Sequence, residues 1–325
     1  VTGFVTRSGA KLMLDGQPFV IRGFNVYNAN SRGNCWYNLG FTDGALDKVL
    51  ADAGGNTIRA WFFQKLATTN GVRDWAAFDH TLAVCAARGI RVVATLANQW
   101  GDCENVSGSP IYKDEVWYKT VYTAREAGML VSYRDWVREV VTRYRDNPTI
   151  LAWQLMNEAE APMSSTVEQT FRAWAIDMGS VVKAADTNHL LNLGSMSSGQ
   201  GGTSSGTNYQ DLLAIPTFDL AEYHDYGHPF EAMPGDQWNG LAARLAQATA
   251  LGKPLFVGEV GIHLADTAGD KAKRASLLSA KISAQRAAGV VGHLVWDWRD
   301  PAQASGEDYE ITVGDPVVAV VGAAA

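Results

Sequence analysis

Leu151-Ala-Trp-Gln-Leu-Met156, closed by Asn157 and Glu158, is followed by the amphipathic stretch Val167–Ala185. The apolar run is too short for a buried helix and lacks a turn residue, so it reads as a strand buried on both faces. A strand that ends in polar residues and then feeds a helix is one β/α unit. The same unit recurs along the chain. Further strand-like runs are Phe19–Phe24, Thr57–Phe62, Arg91–Ala97, Leu190–Leu193, Leu220–His224, Leu255–Val260 and His293–Trp296. Helix-like segments between them cover Asp43–Ala53, Trp75–Arg88, Ser132–Tyr144, Asp236–Leu251 and Ala272–Ala288. Gly54, Gly89, Gly252 and Gly289 stand where helices stop.

Strands joined by helical crossovers pair in parallel, in either a doubly wound sheet or a closed barrel. A dinucleotide-binding sheet needs G-x-G-x-x-G after its first strand, and Gly23-Phe-Asn-Val-Tyr27 does not supply it. The glycine- and serine-rich stretch Ser195–Asn208 has no helix start shaped for phosphate and reads as a loop. The strand count predicts a (β/α)8 TIM barrel. No linker or repeat divides residues 1–325, so one catalytic domain is expected, with residues 1–15 as a small hairpin capping the barrel bottom.

With 47% hydrophobic residues the chain can bury a sizeable core, and its net charge is −7. Nucleic acid and anionic membranes need concentrated positive charge, which is absent, so neither is an expected partner. The longest apolar run, Val317–Val321, falls far short of the about 20 residues of a membrane span. Residues 1–10 carry no signal-peptide pattern, and the chain opens as a processed mature protein would. Of three cysteines, Cys85 lies in an apolar helical pattern, while Cys35 and Cys103 fall in loops where a disulfide between them is open.

In such barrels the reactive groups stand at the C-terminal ends of the strands. Those positions carry Asn25 and Tyr27, Arg59, Asn98 and Trp100, Asn157 and Glu158, Ser195, His224 and Tyr226, Glu259, and Trp296. A carboxylate ending an apolar strand is costly unless paired or used. One such glutamate would suit a rim salt bridge. Two, with Arg59, His224 and Tyr226 at hand, fit glycoside hydrolysis, which needs one protonated and one ionised carboxyl across a glycosidic bond. His224 and His228 are four apart without a third clustered ligand, so no metal or other cofactor is expected.

Trp153-Gln-Leu-Met-Asn157-Glu158 resembles the strand-four signature of clan A glycoside hydrolases, family 5 in particular. The segments Phe4–Gly9 and Pro18–Asn25, with Asn56-Thr-Ile-Arg59-Ala-Trp61, resemble the N-terminal pattern of family 5 β-mannanases. Ala97-Asn98-Gln-Trp100, His224-Asp-Tyr226, Gly258-Glu259-Val-Gly261 and Val295-Trp296 are similar to their motifs after strands three, six, seven and eight. Two departures stand out: Gly258 replaces a residue often polar in the family, and Asp102-Cys103-Glu104 follows Trp100 where glycines are common.

The resemblance implies a secreted retaining enzyme acting on β-1,4-mannan, with Glu158 as general acid/base and Glu259 as nucleophile. It also implies that Asn157 contacts the sugar 2-hydroxyl, that Arg59 and Tyr226 hold Glu259, and that His224 bonds near Glu158. Asn98 is expected to support the site, and Trp296 to stack on a sugar ring. Trp100, Trp117 and Trp298 are weaker candidates for binding sugars in neighbouring subsites. Two alternatives stay open: a β-glucan-active or exo-acting member of the same family, its cleft closed by the segment 103–128, or a carbohydrate-binding barrel without catalysis. The partner is an oligo- or polysaccharide and a monomer is expected. The sequon Asn105-Val-Ser matters only in a glycosylating host.

Overall fold

The eight apolar runs form eight parallel strands: β1 (Ile21–Asn25), β2 (Thr57–Trp61), β3 (Arg91–Thr95), β4 (Ile150–Gln154), β5 (Leu190–Asn192), β6 (Ala221–Asp225), β7 (Leu255–Val260) and β8 (Gly292–Val295). The structure is a computed structural model that describes residues 1–33, 35, 45–104, 112–160, 167–198, 207–227, 231–304 and 309–323. The hydrogen-bonded order is β5-β4-β3-β2-β1-β8-β7-β6. The two ends of that sheet meet through a parallel bridge between Asn192 and Leu220. Asn192 Nδ2 also donates to Leu220 O at 3.1 Å. The sheet thereby closes on itself as a (β/α)8 barrel.

Each strand is followed by a helix: α1 (Ala45–Asp52), α2 (Ala76–Ala87), α3 (Tyr133–Tyr144), α4 (Val167–Ala185), α5 (Thr207–Leu213), α6 (Leu241–Ala250), α7 (Lys271–Ala288) and α8 (Pro316–Ala323). Two of their starts are capped by side chains. The Ser132 hydroxyl accepts from Asp135 N, and the Asp270 carboxylate accepts from Lys273 N. Helix α6 begins later than the expected Asp236. The Asp236 carboxylate binds the N–H groups of Trp238 and Asn239 at 2.8 and 2.7 Å, which makes a local turn, and the extended Gly240 caps the helix. Part of the expected Ser195–Asn208 loop is helical, because α5 starts at Thr207. The apolar run Val317–Val321 lies within α8. The sequon at Asn105 and most of the expected lid segment's start lie outside the described residues.

The N-terminal hairpin is present as strands Thr6–Ser8 and Lys11–Leu14, with a third short strand at Gln17–Pro18. Its Val5 and Leu12 join Ile21, Val93, Leu190, Leu220, Phe256 and Leu294 in an apolar cluster around the N-terminal half of the strands. That plug fills one end of the barrel interior and leaves the other for polar groups. A larger cluster packs the strands' outer faces against the helices. Among the described residues no helix is long and apolar enough to cross a membrane.

Cys35, after β1, is disulfide-bonded to Cys103, after β3, with Cα atoms 4.6 Å apart. Cys85 is free and buried. The bond ties two loops on the C-terminal rim. Closing a loop of 68 residues contributes about 4 kcal/mol in the chain-entropy account. Denatured, unreduced protein is therefore expected to titrate one thiol and reduced protein three, with reduction lowering the unfolding midpoint. Three thiols without reductant would show the bond does not form.

Candidate active site

Several strands carry polar residues at inward-facing positions. On β2 this is Arg59, on β4 Gln154, on β6 Glu222 and His224, and on β1 Asn25. Strand alternation alone would not turn both Phe256 and Glu259 of β7 to the interior. A bulge does so: Tyr223 pairs with Val257, but the next residue, His224, pairs with Glu259, which leaves Gly258 unmatched. The extra residue re-aims the strand end. It brings Glu259 into the barrel mouth.

Arg59 is 0% exposed, and each of its three guanidinium nitrogens donates a hydrogen bond. Nη1 donates to Glu259 Oε1 at 2.6 Å and to Asn25 Oδ1 at 2.9 Å. Nη2 donates to Asn157 Oδ1 at 2.6 Å, and Nε to Gln154 Oε1 at 2.8 Å. Asn157 in turn donates to Asn98 Oδ1 at 3.0 Å. Asn98 is held from behind by Glu104, which accepts from its N–H at 2.8 Å and pairs with Lys113 at 2.6 Å. The Tyr226 hydroxyl donates to the second oxygen of Glu259 at 2.6 Å.

Glu158 has different partners. His224 Nδ1 lies 2.8 Å from its Oε1, and Trp100 Nε1 donates to its Oε2 at 2.6 Å. The glutamate sits at φ +52°, a left-handed conformation that a residue with a Cβ adopts only when its surroundings hold it there. Donor atoms of Glu158, His224 and Glu259 all lie within 4.8 Å of one another, so the two carboxylates face each other at short range.

The charges are coupled. Burial pulls His224 down, but the charge of Glu259 and the contacts with Glu158 and Glu222 outweigh it, and its pKa is raised to about 10. Burial pushes the Glu158 carboxyl up; the bond and charge of His224, then Trp100 and Arg59, bring it below its ordinary value. Burial pushes the Glu259 carboxyl up against the pull of His224, Arg59 and the Tyr226 hydroxyl. The three donor groups are close enough for a metal, an arrangement that the His224/His228 spacing did not foretell; His228 lies outside the described residues. A second cation there would face the guanidinium 2.6 Å from Glu259 Oε1.

All nine expected site residues meet at one rim. Seven of them line a cleft of about 270 Å³: Asn98, Trp100, Asn157, Glu158, Tyr226, Glu259 and Trp296, while Arg59 and His224 lie just beneath. Tyr27 stacks on Trp296 with ring centres 5.1 Å apart, and Trp61 tilts against Trp296 at 6.2 Å. That aromatic wall suits the apolar face of a sugar. Trp61 was absent from the expected set because it reads as the end of an apolar strand; its place at a strand's C-terminal end was the available signal. Gln154 and Glu222 were missed because each lies inside an apolar run rather than at its polar end. Trp117 and Trp298 are not in the cleft. Trp117 packs on Tyr118 and Tyr133, and Trp298 on Phe24, both as buried core. The His263 ring meets Tyr309, which lies edge-on to Tyr226.

The family model "Cellulase (glycosyl hydrolase family 5)" matches residues 12–301. The chain is 28% identical to mannan endo-1,4-beta-mannosidase 1 of Oryza sativa subsp. japonica, over 96% of this chain and 82% of that protein. It is 27% identical to a probable mannan endo-1,4-beta-mannosidase C of Aspergillus terreus, over 69% of this chain and 64% of that one. In fold it is similar to the endo-1,4-beta-mannanase from Rhizomucor miehei, with a TM-score of 0.74, 20% identity and coverage of 98% and 97%. The endo-beta-1,4-mannanase from Thermotoga petrophila superposes with a TM-score of 0.70 at 21% identity, over 96% of this chain and 77% of that one.

Removing the buried guanidinium takes from Glu259 the cation that donates to its Oε1. Arg59→Ala is expected to destabilise the fold by about 3–5 kcal/mol in chemical denaturation, the usual cost of breaking a buried pair. A loss below about 0.5 kcal/mol, the scale of an ordinary surface change, would show that the network does not hold the charge.

Proposed function

This chain belongs to glycosyl hydrolase family 5, and from that membership we propose that it is a retaining endo-β-1,4-mannanase with Glu259 as nucleophile and Glu158 as general acid/base. The observation that carries the assignment is the pair itself, with carboxylate oxygens within 4.8 Å across an aromatic-walled cleft. Retaining sites hold their carboxyls about 5–5.5 Å apart, whereas inversion needs about 6.5–9.5 Å for an intervening water.

Glu259 attacks the anomeric carbon as the glycosidic bond breaks. Arg59 and Tyr226 each give one of its oxygens a 2.6 Å hydrogen bond that favours the ionised form. Glu158 protonates the departing oxygen, then takes a proton from the water that releases the sugar from Glu259. Asn157 is oriented by Arg59 on one side and Asn98 on the other, which leaves an N–H of its amide for the sugar 2-hydroxyl. Mannose and glucose differ at that hydroxyl. One well-made hydrogen bond there is worth about 1–3 kcal/mol, roughly a ten- to hundredfold preference. Mannan is favoured because the relatives named above carry that activity in their names. Export is supported by the disulfide at the cleft rim. The enzyme acts on its polysaccharide as a monomer.

Glu158→Ala is expected to slow mannan hydrolysis by about two to four orders of magnitude, and aryl mannosides with good leaving groups far less. Glu259→Ala should lose activity on all substrates, with azide giving a mannosyl azide of inverted configuration. Near wild-type turnover of mannan by either variant would contradict the assignment. Given mannohexaose and cellohexaose at equal concentration, the enzyme should cleave the first with the higher kcat/KM. Faster cleavage of cellohexaose would remove the mannan assignment and leave the glycosidase.

A further inference from the structure

Glu222 is a third carboxylate at the base of the cleft, and none of the steps above uses it. It is buried on β6 two residues before His224. Its Oε1 lies 3.1 Å from His224 Nε2, and its Oε2 accepts from Gln154 Nε2 at 2.6 Å. Gln154 cannot be turned around, because its Oε1 already accepts from Arg59 Nε and Thr95 Oγ1, both at 2.8 Å. The carboxylate therefore takes a donor on one oxygen and presents the other to the imidazole.

The chain makes room for it at a specific place. A Cβ added to Gly258 would fall 1.8 Å from Glu222 Oε1. The glycine at the β7 bulge, one of the two departures from the family pattern, is thus the counterpart of Glu222. The two residues form one device.

We propose that Glu222 is a positioning residue that keeps a proton on His224 Nε2, so that His224 Nδ1 and Glu158 share the single remaining proton. The inference rests on the reading of Glu158 as acid/base. Nδ1 lies 2.8 Å from Glu158 Oε1, and two states follow. With the imidazole cationic, Nδ1–H donates to the carboxylate. With it neutral, the Nδ1 lone pair accepts from a protonated Glu158, the form that a general acid requires. One proton crossing between N and O interconverts them.

During bond cleavage Glu158 gives that proton to the glycosidic oxygen, which also keeps the electron pair of the broken C–O bond. Glu158 then faces an imidazole lone pair and is a stronger base for the second half. Water transfers a proton to Glu158 as its oxygen bonds to the anomeric carbon, and Glu259 leaves with its electron pair. The proton is restored to the shared position. The other charged groups facing His224 are Glu259 of β7, 3.6 Å from Nδ1, and Arg59 of β2, which reaches Glu222 at 3.9 Å and Glu259 at 2.6 Å. The raised pKa of His224 accords with this surround of three carboxylates.

Glu222→Gln keeps the shape but would donate an amide hydrogen to Nε2, forcing the proton onto Nδ1 and leaving Glu158 ionised. The expected result is a fall in kcat on mannohexaose of about tenfold or more with little change in KM. The fall should be far smaller on an aryl β-mannoside with a good leaving group. The alkaline limb of kcat/KM should move down by about one pH unit, since the acid loses its proton more readily. Equal losses on both substrates with an unmoved limb would reduce Glu222 to a structural role and overturn the proposal. Nitrogen-15 NMR of His224 in the wild-type enzyme reads the same point without a variant. Nε2 should stay protonated across the titration, and loss of its proton in the neutral form would overturn the proposal. Glu158→Ala, assayed on the same two substrates, separates the premises: if it shows no leaving-group dependence, the reading of Glu158 fails rather than that of Glu222.

Discussion

A guanidinium with no access to water, set inside a barrel of parallel strands, has to find every acceptor it needs from the strands around it. Arg59 finds them on β1, β4 and β7 and in the turn after β4. A buried cation without such partners would cost several kcal/mol. This one requires a carboxylate at the end of β7, an amide at the end of β1, and Gln154 and Asn157 at fixed heights. The residues proposed to carry the chemistry and those that stabilise the barrel mouth are therefore largely the same set. The apolar plug around Phe256 and Leu294 at the opposite end makes this possible, because it frees the mouth from supplying the core.

The short range between Glu158 and Glu259 follows from two local irregularities. The bulge at Gly258 turns Glu259 inward, and the left-handed backbone at Glu158 turns that side chain back across the mouth. Neither conformation is intrinsically favoured. Around them the Cys35–Cys103 bond and the Glu104–Lys113 pair hold the loop that carries Asn98 and Trp100. The mouth is thus built from rigid strand ends below and a cross-linked loop above.

The positions of the strands were legible because each is an apolar run bounded by a polar residue, and the site was legible because those polar residues share one end of the barrel. Boundaries moved where side chains override periodicity, as when Asp236 makes a turn ahead of α6. Trp61 and Glu222 were hidden for a different reason. Inside a strand buried on both faces, the sequence does not say which residues point to the mouth, and a bulge in the neighbouring strand changes that assignment. Trp117 and Trp298 look like cleft aromatics in sequence because burial by helices and loops is a tertiary property. Gly258 is the instructive case: a departure that reads as a missing polar group is space occupied by Glu222 from the next strand.

Covalent catalysis by Glu259 is the central claim. Incubating the enzyme with 2-deoxy-2-fluoro-β-mannosyl fluoride and mapping the peptides by mass spectrometry tests it most directly. The account predicts time-dependent inactivation and one added fluoromannosyl group on the peptide that contains Glu259. A label on Glu158, or turnover of the reagent with inversion and no labelled peptide, would contradict it.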